Sequence, residues 1–114
     1  MSVFEQGDII SVTNTPFVGA NANDINKKIC VVLSPKAFNR LGLTLVAPIV
    51  PKNSCPRFEG FAVQIKVGNT PSEIMANDVF SLHLRTKICE KIGVVPPAIL
   101  SNVTAIIGAI IGIS

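Results

Sequence analysis

Few side chains in this sequence are equipped to move a proton or hold an ion. His83 is the single histidine among 114 residues. An imidazole suits acid or base work where a partner stands by; otherwise it is a plain surface residue. Cys30, Cys55 and Cys89 are an odd set, spaced too widely for a CxxC metal site and unlike the even set of a disulfide scaffold. They read as reduced thiols. No phosphate-cradling glycine loop, GxSxG elbow, HExxH or paired CxxC is present, which excludes most common enzyme classes and leaves no cofactor or metal to expect. Ten Lys and Arg against seven Asp and Glu give a net charge of +3, compatible with nucleic acid but without the density of a dedicated basic arm.

The elements that must position these groups follow from length and patterning. A chain of 114 residues with 48% hydrophobic and 15% charged side chains predicts one folded domain, residues 1–114, and excludes disorder. Asp8–Val12, Leu43–Val50 and the alternating Phe61–Val67 read as strands, and the continuous apolar run Ile29–Leu33 as a buried central strand. Ile74–Ala76 and Val79–Leu82 suggest one or two more. Ser34-Pro35 is a cap-and-proline start for a short helical turn through Asn39. After Pro96–Pro97, a stripe of Ile99, Val103, Ile106, Ile110 and Ile113 predicts a helix packed on a sheet or on a sister subunit. Every residue from Ile92 to Ser114 is uncharged, yet the continuous apolar part falls well short of the ~20 residues of a spanning helix, so no membrane association is expected. The N-terminus lacks a signal-peptide pattern, and a cytoplasmic location is expected. Mostly antiparallel strands without βαβ spacing describe a small barrel-like α+β domain.

A further pattern runs along the chain: Gly7-Asp8-Ile9-Ile10, Pro16 and Gly19, Val31-Val-Leu-Ser-Pro35 with Ala37-Phe38-Asn39, Leu43-Thr-Leu-Val-Ala-Pro-Ile49, then Gly60-Phe61. In order and spacing it resembles the MazF/PemK/ChpB family of type II toxin–antitoxin toxins, most of all the ChpB and PemK members. The resemblance spans roughly Phe4 to Ile113. It implies an SH3-like antiparallel barrel with a C-terminal helix, a homodimer, an antitoxin tail bound across the dimer groove, and metal-independent cleavage of single-stranded RNA. Such cleavage needs a base for the ribose 2′-OH, an acid for the leaving 5′-oxygen, and a cation for the crowded phosphorane.

The family's site positions fall on altered residues. After Gly19, where a His-Glu or Ser-Glu pair is usual, stand Ala20 and Asn21, and an amide is no proton-transfer base. Asp24 is a substitute in the same loop or simply a solvated carboxylate. The family arginine before the central strand falls on Lys28, which keeps the charge and loses the bidentate fork. The threonine after Pro-Ile is Val50, without a hydroxyl for the phosphate. An Arg and Asp of PemK-like members align with Met75 and Asn77, and His83 stands where Asp is usual. Lys27, Lys28, Arg57 and Phe61, with Val50 and Met75, are the expected RNA contacts. The reading is a dimeric, antitoxin-binding toxin that also binds single-stranded RNA, with cleavage weak or lost. One alternative is an active endoribonuclease with a site rebuilt on Lys28, Asp24 or His83. Another is a gyrase inhibitor like CcdB, which this fold resembles and whose C-terminus the end Ile111–Ser114 faintly echoes.

Overall fold

The computed structural model describes residues 3–14, 27–52, 61–83 and 87–112. Within them the elements run β1 (Asp8–Asn14), β2 (Lys27–Val32), α1 (Lys36–Asn39), β3 (Leu43–Pro51), β4 (Ala62–Val67), β5 (Thr70–Met75), β6 (Phe80–His83), β7 (Lys87–Val94) and α2 (Pro97–Ile110). The strands form one antiparallel sheet in the order β4-β5-β3-β2-β1-β7, and β6 pairs with the first half of β3. This is the expected mostly-β α+β fold with a C-terminal helix. The barrel is not closed: among the described residues no ladder joins β4 to β7.

β3 is the pivot of the sheet. Leu43–Val46 pair with β6, and Ile49–Pro51 pair with β5. Pro48 has no N–H to give, and it falls in the interval between these two ladders, where neither partner needs a donor. β4 and β5 are joined by the tight turn Gly68-Asn69, with Gly68 at φ +61. Thr70 and Pro71 are therefore already strand, opposite Val67 and Lys66.

Alternation along the strands gives the sheet two faces. Ile9, Val31, Ala47, Ile49, Ile65 and Ile74 belong to one, and α2 lays Val103 among them with Ile99, Leu100, Ile106 and Ile107 at its margin. Val103 is fully buried, worth about 1.5–3 kcal/mol by its removal from water. Ile10, Val12, Cys30, Val32, Val46 and Leu82 form a second cluster on the other face, with Phe4, Phe80 and Cys89 packed against it. The helical stripe thus packs largely on its own sheet. Ile106 is partly buried against the core, while Ile110 and Ile111 remain exposed at 48% and 65%.

Two local expectations are corrected. Pro35, not Ser34, caps α1, and Ser34 makes no helix-capping bond. Its hydroxyl instead donates to Asn39 Oδ1, lies 3.0 Å from Thr44 Oγ1 and accepts from the Leu45 N–H at 2.9 Å. β7 is an element that sequence patterning missed. It is the edge strand beside β1, with a register break between Ile9 and Ile10, and a bulge there removes the regular alternation by which strands are recognised.

Candidate functional site

The site is built from strand register. Val50 lies opposite Glu73, and Glu73 opposite Gln64. On the other side of β3, Ile29 pairs with Ile49, so the next step outward sets Lys28 opposite Val50. Lys28 in turn lies opposite Val12. Paired residues project to the same side of a sheet. Gln64, Glu73, Val50, Lys28 and Val12 therefore form one transverse row, on the face away from α2. One row inward, Met75 sits opposite Ala62, and Cys30 opposite Pro48.

Exposure along that row is uneven. Lys28 and Gln64 are exposed and Val50 is half-buried, whereas Glu73 is only 1% exposed. Neighbouring strands are about 4.8 Å apart, so one ammonium and one carboxylate stand two strands from each other with a valine between them. An open cleft of about 450 Å³ adjoins the Gln64 end, lined in part by Lys52, Lys66 and Ile99. Its two lysines make this edge attractive to anions.

The structure brings Lys28, Val50 and Met75 to the same face. Met75 is buried, so it shapes this face without offering itself to a ligand. Lys27 occupies the β2 position opposite Thr13. Phe61 is half-buried at the head of β4, its carbonyl accepting the Ala76 N–H at 3.0 Å. Asn77 lies just past β5, and its Oδ1 is buried without a hydrogen-bond partner among the described residues. His83 is exposed opposite Leu43, a position whose alternation with Ala47 and Ile49 puts it on the α2 face, away from the Lys28 row. Asn21, Asp24 and Arg57 lie outside the described residues.

Glu73, which the sequence reading did not single out, lies in this row by register. The available signal was the strand period of two, by which Glu73 shares a face with Met75. Cys30, one row inward, is fully buried, and burial pushes its thiol up to about 11, against the pull of the Lys28 ammonium and with a smaller push from Cys89. It is protonated and unreactive at neutral pH. Cys30 and Cys89 are both free thiols. Among the described residues no group of three or more His, Cys, Asp or Glu is placed to hold a metal ion, and no helix is long and apolar enough to cross a membrane.

A half-open, cation-bearing face on a small antiparallel sheet backed by a C-terminal helix defines a class with known members. The fold matches MazF from Deinococcus radiodurans in its MazE–MazF complex with a TM-score of 0.79 at 23% identity, covering 99% of this chain and 100% of that one. It also matches a mycobacterial endoribonuclease solved with its cognate antitoxin, with a TM-score of 0.71 at 14% identity, covering 100% of this chain and 98% of that one. In sequence, residues 5–111 match the family described as PemK-like, MazF-like toxin of type II toxin–antitoxin system. The endoribonuclease toxin ChpB of Escherichia coli (strain K12) is 35% identical over 94 residues, 81% of this chain and 80% of that protein. The chain belongs to the PemK/MazF-like toxin family.

Proposed function

We propose that this toxin acts in the cytoplasm as a homodimer, binds a cognate antitoxin and single-stranded RNA across the Lys28 face, and cleaves that RNA weakly and without metal. The relatives support the antitoxin and the nuclease parts of this reading: ChpB is an endoribonuclease toxin, and the Deinococcus and mycobacterial neighbours were solved with antitoxins. The observation that carries the second half is the Ile29–Ile49 register of β2 and β3, whose next step outward sets Lys28 beside Val50. The cation that would meet a phosphate is present, and the group beside it has only methyls to offer.

Lys28 attracts the phosphate as a point charge but cannot grip two of its oxygens as a guanidinium does. Val50 cannot donate to the phosphorane as it crowds. A missing transition-state donor costs about 10²–10³ in rate where donors are preorganised, so binding outlasts catalysis. The test is restoration. With Lys28→Arg and Val50→Thr combined, cleavage of a long single-stranded RNA should rise at least about tenfold while affinity changes little. Undiminished wild-type activity that neither substitution improves would contradict the reading. The alternative of a fully active, rebuilt nuclease draws on one observation, the carboxylate of Glu73 in the same row as Lys28.

A further inference from the structure

This inference rests on the RNA-binding part of the reading above and extends it to a second contact: we propose that the cleft at the β4–β5 hairpin seats one nucleotide flanking the Lys28 site, its phosphate held by Lys52 and Lys66. Continuity carries the argument. The row that starts at Lys28 ends at Gln64, and Gln64 is itself part of the cleft wall, so a single strand lying along the row is led into it.

Strand pairing sets the two cations side by side. The Lys52 N–H, just past β3, donates to the Pro71 carbonyl at 3.2 Å, and Pro71 lies opposite Lys66. The lysines therefore flank one proline, about two strand spacings or ~9–10 Å apart at the backbone, and their long side chains reach a shared phosphate between them. Both are exposed, and among the described residues the ion pairs engage Lys36 and Lys91 instead. The hairpin Ala62–Met75 carries one other charge, Glu73, which is buried. An unopposed pair of ammonium groups at a surface attracts anions.

The rest of the lining suits a nucleotide better than a bare ion. Pro71, Ile65 and Ile99 contribute apolar surface, and Gln64 adds an exposed amide that both donates and accepts. The Ser72 hydroxyl, also on the wall, is already engaged with the Thr70 carbonyl at 3.2 Å. At about 450 Å³ the cleft falls in the range of ~300–1,000 Å³ that small organic ligands occupy. Cations that track the backbone, with a surface for the base beside them, hold single strands with little regard to sequence. The Lys28 and Gln64 ends of the row are about three strand spacings, ~14 Å, apart. One phosphate cannot serve both ends, so the two contacts are filled together only by a strand that spans them.

The experiment measures binding of a 2′-deoxy-substituted single strand, which cannot be cleaved, over a series of salt concentrations. It compares wild type, the double variant Lys52→Gln with Lys66→Gln, and Lys36→Gln, which removes a charge elsewhere on the surface. All three substituted side chains are exposed, so the fold should be kept. The double variant should bind about tenfold more weakly, and the slope of log affinity against log salt should become shallower by about 0.7 for each phosphate no longer neutralised. The loss should shrink on a dinucleotide, whose one phosphate cannot occupy both contacts. Lys36→Gln should change neither affinity nor slope. Unchanged affinity and slope in the double variant, where wild type binds the strand, overturn the role of the cleft alone, as does an equal loss with Lys36→Gln. A double variant that keeps RNA but loses an acidic peptide of the cognate antitoxin assigns the cleft to the antitoxin and overturns the proposal too. A wild type that binds no single strand overturns the RNA reading and this inference together.

Discussion

The Ser34 hydroxyl donates to the side-chain carbonyl of Asn39, five residues along and across the turn of α1. Asn39 returns the contact through its amide, which donates to the Ser34 carbonyl at 3.1 Å and to the Phe4 carbonyl at 2.8 Å. Both side chains are buried, and the network ties the N-terminal segment, α1 and the start of β3 together.

Asn39→Ala removes the amide donors to the Phe4 and Ser34 carbonyls and the Oδ1 acceptor of the Ser34 hydroxyl, which keeps its Thr44 and Leu45 contacts. A buried, unsatisfied group costs about 1–3 kcal/mol, so the substitution should destabilise by about 2–4 kcal/mol. Thermal or urea unfolding measures it. A loss below about 0.5 kcal/mol, the usual size for a surface change, contradicts the account of this network.

Gly7 is a second point where the backbone allows no substitute. Its φ is +93, its N–H donates to the Val32 carbonyl at 2.8 Å, and its carbonyl accepts from the Val95 N–H at 2.8 Å. A Cβ there meets Leu100 Cδ2 at 3.2 Å. Gly7→Ala should therefore cost at least about 1–2 kcal/mol from the left-handed backbone alone, and more from the α2 contact. The same unfolding measurement checks it, and a neutral result contradicts the reading.

Cys30 predicts a loss of stability in alkali. Its thiol is raised from 9.0 to about 11 by burial, so between those values the unfolded chain ionises while the folded chain holds its proton. The unfolded state then binds fewer protons, and stability falls as pH rises from about 9 towards 11, by up to about 2–3 kcal/mol at one pKa unit per 1.36 kcal/mol. Cys30→Ala should flatten that limb. Alkylation at neutral pH should spare Cys30 until the protein unfolds.

The exposed Ile110 and Ile111 at the end of α2 are the apolar residues its own sheet leaves uncovered. An uncharged helix end of this kind is expected at the dimer contact. Sedimentation at micromolar concentration should give a dimer, and Ile110→Asp with Ile111→Asp should shift it towards monomer. A wild-type monomer contradicts the proposed assembly.

Much of the fold was legible in the residues. Ile29–Leu33 and Leu43–Val50 are apolar because β2 and β3 lie inside the sheet, and Pro96–Pro97 opens α2 where proline lacks nothing it needs. β7 was not legible, because an edge strand buries one side and its bulge breaks the alternation. The site was legible in part. Lys28 and Val50 stood out by resemblance, and they are the residues that follow the paired Ile29 and Ile49 at the end of the β2–β3 ladder. Glu73 did not stand out, since nothing in the local pattern marks it as buried until pairing with Val50 and Gln64 places it mid-sheet. The Ser34 and Asn39 that carried the family resemblance prove to be framework.

The most direct test of the central claim is cleavage of a long single-stranded RNA at micromolar protein without metal, comparing wild type, Lys28→Ala and an established family toxin. The account predicts specific wild-type bands, slower than the reference toxin by about 10²-fold or more, that vanish with Lys28→Ala. Bands as strong as the reference, or bands that persist without Lys28, would contradict it.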